Sequence, residues 1–263
     1  MNERGKNWRE RVVLITGGSS GIGKATAKEF LSERATVVIT ARSQQRLEEA
    51  VSGLSYLPGT VTSMVSDVRN VDDCGNAIAE VVKRFGRLDV LVNSAGVWVE
   101  GDSSRSTEEE WDGVIDTNLK GTYFMCCRAI PELKRTRGCI VNVSSDAGVV
   151  GNRGAAIYCA SKGGVNLLTK SLAIELAEDL IRVNAVCPAD VDTPMARGAV
   201  EKYGGDDRDA SYRQLLSKYP QAENARLIQP EEVARLIVYL ASDEAQAITG
   251  ATVSMDFGLT AGY

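Results

Sequence analysis

Tyr158 and Lys162 stand four residues apart, a spacing that on a helix puts both side chains on one face with the cation one turn from the phenol. A free phenol has a pKa near ~10, and bringing it to about 7 takes roughly 4 kcal/mol of preferential stabilisation of the phenolate. A nearby ammonium in a poorly hydrated site can supply that, so the pair could trade protons at neutral pH. Ser145 lies thirteen residues before the tyrosine and belongs to the same reading. The chain contains no histidine, which excludes a Ser-His-Asp triad, an imidazole acid and a His-ligated metal. No metal site is expected, since the six cysteines form no CxxC pair and read as small apolar filler of a reducing compartment.

A second stretch with chemical potential is Gly17-Gly18-Ser19-Ser20-Gly21-Ile22-Gly23, where a β-branched run hands over to a helical pattern. Backbone N–H groups and the positive end of the helix then face one point, which suits a phosphate. Two nucleotide classes compete for it. Gly18 to Lys24 fits the GxxxxGK of a P-loop, but Ala25 stands where a Ser or Thr must hold magnesium. A dinucleotide site uses such glycines for a tight turn and close approach of the pyrophosphate, here with the spacing Gly-x-x-x-Gly-x-Gly. At the end of the second strand, Thr40-Ala41-Arg42-Ser43 offers a guanidinium where NAD sites carry an acid for the ribose hydroxyl. This favours NADP(H) over NAD(H), with a merely solvated Arg42 as the competing account.

The elements that must position these groups alternate along the chain. Strands are expected at Val12–Thr16, Thr36–Thr40, Val61–Ser66, Leu88–Val92, Cys139–Val143, Arg182–Cys187 and Ala251–Met255. Helices are expected from Ile22, over Gln44–Leu54, from Asp72 to Phe85, from the capping box at Thr107–Glu110 as one long helix toward Leu133, over Ala156–Ala177, and from Pro230. The strands lack polar alternation, as strands buried on both faces of a parallel sheet do, which points to an α/β fold. Residues 188–229 break the rhythm with glycines, charges and three tyrosines, and read as a mobile cover over a substrate.

Five motifs occur in order: Thr16-Gly17-x-x-x-Gly21-Ile22-Gly23, Asn93-Ser94-Ala95-Gly96, Asn118, Ser145 and Tyr158-x-x-x-Lys162. With them the chain resembles the short-chain dehydrogenase/reductase family over residues 10 to 258. The resemblance implies a single-domain, doubly wound Rossmann fold with a seven-stranded parallel sheet of order 3-2-1-4-5-6-7, in a homotetramer (or homodimer). It also implies roles. Tyr158 would be the general acid/base, with Lys162 lowering its pKa and holding the nicotinamide ribose. Ser145 would donate to the substrate oxygen, and Asn118 would hold a water linking Lys162 to solvent. Gly17, Ser19, Ser20, Gly21, Ile22, Gly23, Arg42, Asp67, Val68, Asn93, Ala95, Gly96, Pro188, Val191 and Thr193 would bind the cofactor along with Tyr158 and Lys162. Trp98, Val149, Asn152, Asp190 and Met195 are expected to line the substrate pocket.

Three departures from the family pattern stand out: Pro188-Ala189 in place of Pro-Gly, Asp256-Phe257-Gly258 in place of Asp-Gly-Gly, and the acidic Glu178-Asp179-Leu180 where reductases of acyl carrier protein place a base. The basic cluster Lys134-Arg135-Arg137 argues weakly the other way. The expected reaction is hydride transfer between NADP(H) and a carbonyl or secondary alcohol, with reduction of 3-oxoacyl thioesters and a catalytically silent NADP(H)-binding regulator as alternatives.

At 263 residues, 44% of them hydrophobic and 25% charged, the chain suits one domain spanning 1–263. A formal charge of −5 gives no electrostatic case for nucleic acid or an anionic membrane and leaves a small molecule as the default partner. The first ten residues hold no apolar run and no stretch approaches membrane-spanning length, so a cytoplasmic protein is expected.

Overall fold

Short runs of valine, isoleucine and leucine form the strands: β1 (Val12–Thr16), β2 (Thr36–Ala41), β3 (Thr60–Val65), β4 (Val90–Asn93), β5 (Cys139–Val143), β6 (Arg182–Pro188) and β7 (Thr252–Met255). In the computed structural model they make one parallel sheet of order β3-β2-β1-β4-β5-β6-β7. The structure describes residues 8–204 and 207–262; the two ends of the expected 1–263 domain, and Gly205 and Asp206 of the expected cover, lie outside the described residues.

Because successive side chains of a strand point to opposite faces, each strand feeds two cores. Val13 and Ile15 of β1 join Val37 and Ile39 of β2 and Val141 and Val143 of β5 on one face. Against them pack α1 (Gly21–Ser32) through Phe30 and Leu31, α2 (Gln44–Ser52) through Leu47, and the last long helix, Pro230–Ala241, through Val233 and Ile237. Val12, Leu14, Val38, Leu91, Ile140 and Val183 supply the other face. There they meet α3 (Val71–Phe85), α5 (Gly121–Thr136) and α6 (Ala156–Glu175) through Ile78, Val81, Met125, Leu133 and Leu172. Cys74, Cys126 and Cys139 sit in these cores, and burial pushes the Cys126 thiol up to about 12. This is the behaviour of inert apolar filler.

Strand order reverses beside β1, which pairs with β2 on one side and β4 on the other. A parallel sheet opens a crevice at the carboxyl ends of such strands. The glycine turn after β1 and the Ser94–Gly96 loop after β4 meet there, and the tips of β5 and β6 carry Ser145 and Pro188 to the same edge.

The expected single helix from Glu108 toward Leu133 is interrupted. Helix α4 (Glu108–Ile115) starts on the anticipated capping box, with Thr107 and Glu110 bonded reciprocally. It then passes through a π-helical turn, Asp116–Lys120, before α5 begins. The extra residue of a π turn changes which face points inward, and here it buries Asn118 completely. Residues 188–229 are more regular than expected: α7 (Pro194–Tyr203) and α8 (Arg208–Leu216) form there, and Val191 bridges Ile228 in parallel register. In this numbering Pro230–Ala241 is α9.

Candidate active site

The glycine turn is built for close approach. Gly17 has φ +67°, and a Cβ there would lie 2.8 Å from the Ala95 Cα; one on Gly23 would lie 2.5 Å from the Gly17 carbonyl oxygen. A Cβ on Gly21, which has φ +51°, would lie 3.2 Å from the Thr193 Cγ2. Helix α1 starts at N-cap Ser20 with no side-chain cap and no acid in its first turn, whereas α3 and α4 carry both. The first N–H groups of α1 and the positive end of its dipole therefore remain available to an anion, so these residues fit a dinucleotide pyrophosphate. Ser19 is half-buried and Ser20 exposed at this rim, and Ile22 packs back toward the core. The amine of Lys24 lies beside Gly53 at the end of α2, 3.7 Å from where a Cβ would stand, and not over the first turn as a P-loop lysine would.

At the far end of the crevice Arg42 is exposed at the tip of β2, and its charge draws down the carboxyl of Asp67. The larger cause is Arg69, whose guanidinium binds Asp67 at 2.6 Å. The Val68 side chain is buried against Gly121. Thr16 Oγ1 accepts from the N–H groups of Ser94 and Ala95, and so ties the β4 loop to the glycine turn. Asn93 turns inward, donating to Asn142 Oδ1 at 2.9 Å, and Asn142 Nδ2 in turn donates to Thr169 Oγ1. A Cβ on Gly96 would lie 3.4 Å from Asn118 Oδ1 and 3.7 Å from Lys162 Nζ, so these groups converge. Pro188 and Val191 are buried where β6 ends.

Ser145, Tyr158 and Lys162 are all buried and come together. Ser145 follows β5 and caps a single 3-10 turn, its Oγ accepting from the Ala147 N–H. Lys162 Nζ lies 5.6 Å from the centroid of the Tyr158 ring and donates to the Val143 carbonyl oxygen at 2.8 Å. Asn118 accepts from the Val97 N–H at 2.8 Å and donates to the Val97 carbonyl oxygen and to Ser161 Oγ, so both of its amide hydrogens are committed.

Burial pushes the Tyr158 phenol well above its usual range, and the Ser145 hydrogen bond only partly opposes it. Burial also pushes Lys162 down to about 8. Loss of water disfavours the charged form of both groups, and the amine is bonded to the Val143 carbonyl oxygen.

Residues 17–260 match a family model described as enoyl-(acyl carrier protein) reductase. The chain belongs to the short-chain dehydrogenase/reductase family. It is 42% identical over 250 residues to the 3-oxoacyl-(acyl-carrier-protein) reductase of Thermotoga maritima, covering 95% of this chain and 97% of that one. It is 37% identical over 262 residues to the 3beta-hydroxysteroid dehydrogenase of Mediterraneibacter gnavus, covering 95% of each. A solved structure of an actinorhodin polyketide ketoreductase variant with NADPH superposes with a TM-score of 0.90 at 35% identity, over 95% of this chain and 97% of that one. As a short-chain dehydrogenase/reductase the chain is an oxidoreductase acting on CH–OH or C=O groups. Among the described residues no helix is long and apolar enough to cross a membrane.

Ser145 Oγ donates to Asp146 Oδ1 at 2.7 Å. Tyr219, from the region after α8, donates to Asp190 Oδ2 at 2.8 Å and receives the Asp190 N–H at 3.0 Å. Of the expected pocket residues, Trp98 packs edge-on against Tyr158 with centroids 4.5 Å apart, while Val149, Asn152 and Met195 lie at the exposed rim. An acid directly after Ser145 was visible in the sequence; the Asp190–Tyr219 bond, spanning 29 residues, had no local signal.

Proposed function

We propose that this enzyme transfers hydride reversibly between NADP(H) and a carbonyl or secondary alcohol, with Tyr158 moving the proton. The observation that carries the reading is the buried group of Ser145, Tyr158 and Lys162 at the sheet edge, beside a helix N-terminus left free for a phosphate. A bound nicotinamide supplies or takes up the hydride. Gly17, Gly21, Gly23 and the α1 N–H groups hold the pyrophosphate, Thr193 closes over them, and Arg42 meets the 2′-phosphate of the ribose. Because burial keeps Tyr158 protonated, it stands ready to give its proton to an oxygen that gains charge. Ser145 donates a second hydrogen bond to that oxygen once it turns from Asp146. Lys162 restores the proton, while Asn118 fixes the Val97 loop and Ser161 beside it.

Relatives with printed activities on 3-oxoacyl and 3beta-hydroxysteroid groups support C=O and CH–OH chemistry at this site. Reduction of acyl-carrier-bound thioesters is favoured by the Thermotoga relative. The basic cluster of α5 lends it little weight, since Lys134 is paired to Asp179 at 2.8 Å and Arg135 to Glu132 at 2.5 Å. A cytoplasmic homotetramer (or homodimer) belongs to the same reading, with Leu167 and Ile174 of α6 and Tyr123 of α5 exposed for contacts between copies.

The test is a panel of ketones and alcohols with each nicotinamide cofactor, followed by cofactor absorbance, for wild type and Tyr158→Phe. We expect turnover by wild type and a loss of about 10² to 10⁴ in kcat for the variant. No turnover of any compound by wild type would overturn the reading, as would a Tyr158→Phe protein as fast as wild type.

A further inference from the structure

A serine hydroxyl has one hydrogen to give and two sites at which to accept. The hydrogen of Ser145 goes to Asp146 Oδ1, 2.7 Å from its Oγ, and the same Oγ accepts from the Ala147 N–H at 3.2 Å. Both partners belong to the 3-10 turn Asp146–Gly148 that Ser145 caps. That turn is fixed. The N–H groups of Val149 and Val150 bond the Asp146 carbonyl oxygen at 2.7 and 2.9 Å, and Asn166 of α6 donates to the Gly148 carbonyl oxygen at 2.9 Å. A Cβ on Gly148 would lie 2.7 Å from the Lys162 carbonyl oxygen, so the turn is pressed against α6 and its acid does not swing away freely. Among the described residues no cation is paired with Asp146 that would compete for the carboxylate.

The two forms of a substrate ask different things of this hydroxyl. A ketone oxygen only accepts, whereas an alcohol both donates and accepts. With its hydrogen on a carboxylate, Ser145 presents a lone pair to the reacting oxygen. An alcohol can donate to that lone pair. A ketone has to draw the hydrogen off Asp146 first, and a bond to an ionised acceptor is roughly twice as strong as a neutral one. The resting arrangement is therefore matched to the alcohol.

We propose that Asp146 is a positioning residue that holds Ser145 as a hydrogen-bond acceptor, so that the enzyme binds an alcohol in preference to the ketone of the same pair. This rests on the reaction proposed above, in which Ser145 meets the reacting oxygen. An enzyme leaves the equilibrium between ketone and alcohol where it is, so the effect of Asp146 falls on how tightly each form is held before hydride moves.

Affinity is read in dead-end complexes of the full-length enzyme, ketone with oxidised cofactor and alcohol with reduced cofactor, where no hydride can move. The probes are cyclohexanone and cyclohexanol, replaced by the fastest ketone of the panel and its alcohol where those are better substrates. Asp146→Ala is expected to tighten ketone binding about tenfold and to move alcohol binding less than about threefold. Asp146→Asn keeps an acceptor oxygen without the charge and is expected to tighten ketone binding about threefold, which decides the matter alone if the alanine variant does not fold. In a Ser145→Ala background neither substitution should change either constant, because no hydrogen remains to be held; a merely structural role for Asp146 would persist there. Ketone binding that is unchanged or weaker in the Asp146 variants, or a gain of the same size in the Ser145→Ala background, overturns this inference and leaves the hydride-transfer reading intact. A wild-type enzyme that turns over no ketone or alcohol of the panel overturns both.

Discussion

The Lys162 amine reaches past the Tyr158 ring to the Val143 carbonyl oxygen, 2.8 Å away, and among the described residues no carboxylate is bonded to it. A cation with one neutral acceptor and almost no water is poorly compensated, and its pKa falls to about 8. The group at the centre of the proposed chemistry is thus a cost to the fold.

Lys162→Met should expose that cost. A lysine at about 8 when folded and 10.5 when unfolded binds fewer protons folded across that interval, so stability rises with pH there and the penalty is complete below it. The shift corresponds to roughly 3 kcal/mol, against which the lost bond to Val143 costs about 1.5–3 kcal/mol. The variant is expected to be at least as stable as wild type at pH 7, with the difference shrinking or reversing by pH 10, and to lose most activity. Urea denaturation at the two pH values measures it. A strong loss of stability at pH 7 would mean that the amine is well paired.

How much of this was legible beforehand differs by element. The limits of β1 and β5 follow from β-branched runs bounded by glycines and polar residues, and the glycine turn between β1 and α1 announces itself because few other functions need that spacing. The π turn at Asp116–Lys120 was hidden, since one inserted residue leaves the apolar period of the flanking helices nearly unchanged. Helices α7 and α8 were hidden because neither has a buried apolar stripe long enough to show as a period. The proton states of Tyr158 and Lys162 depend on burial, and a spacing of four residues carries no information about how much water reaches the pair.

Arg42 supports a cofactor prediction. Its side chain is exposed at the tip of β2, while the nearby carboxylate of Asp67 is engaged by Arg69. An acid occupied in this way offers little to a free ribose hydroxyl, whereas a free guanidinium suits a phosphate. Arg42→Ala is expected to weaken NADPH binding about 10- to 100-fold, the value of a charge-assisted bond, and to change NADH binding much less. Cofactor fluorescence titration reads both constants. Equal losses would remove the case for NADP(H).

Phe257 occupies the left-handed region at φ +53°, where the Asp-Gly-Gly pattern would have glycine. The strain, about 1–2 kcal/mol, is held in place by contacts of its ring with Tyr219, centroids 6.3 Å apart, and with the Arg226 guanidinium at 4.9 Å. Phe257→Gly should relieve the backbone and release the segment around Tyr219. The expected result is a change in global stability of under about 2 kcal/mol, with faster proteolysis within residues 217–229 and a higher KM. Proteolysis unchanged from wild type would show that the ring does not hold this segment.

Asp190 supplies a test of whether the pocket is strained before substrate arrives. Burial, with the charges of Asp146 and Glu100 acting in the same sense, raises its pKa, while Tyr219 and Lys218 pull it back. A carboxyl raised in this way favours the folded state fully below the ordinary 3.8, and that contribution is lost as pH rises through the folded value. Loss of water thus works against the charged form of Asp190, and Asp146 and Glu100 act in the same sense. Asp190→Asn keeps an oxygen to accept the Tyr219 hydroxyl at a site where the bond is 2.8 Å, and removes the charge. It should be more stable than wild type at pH 7, and its advantage should fade as pH approaches 4, as read by paired urea melts without cofactor. A variant less stable at pH 7 would show that Lys218 and Tyr219 already compensate the carboxylate.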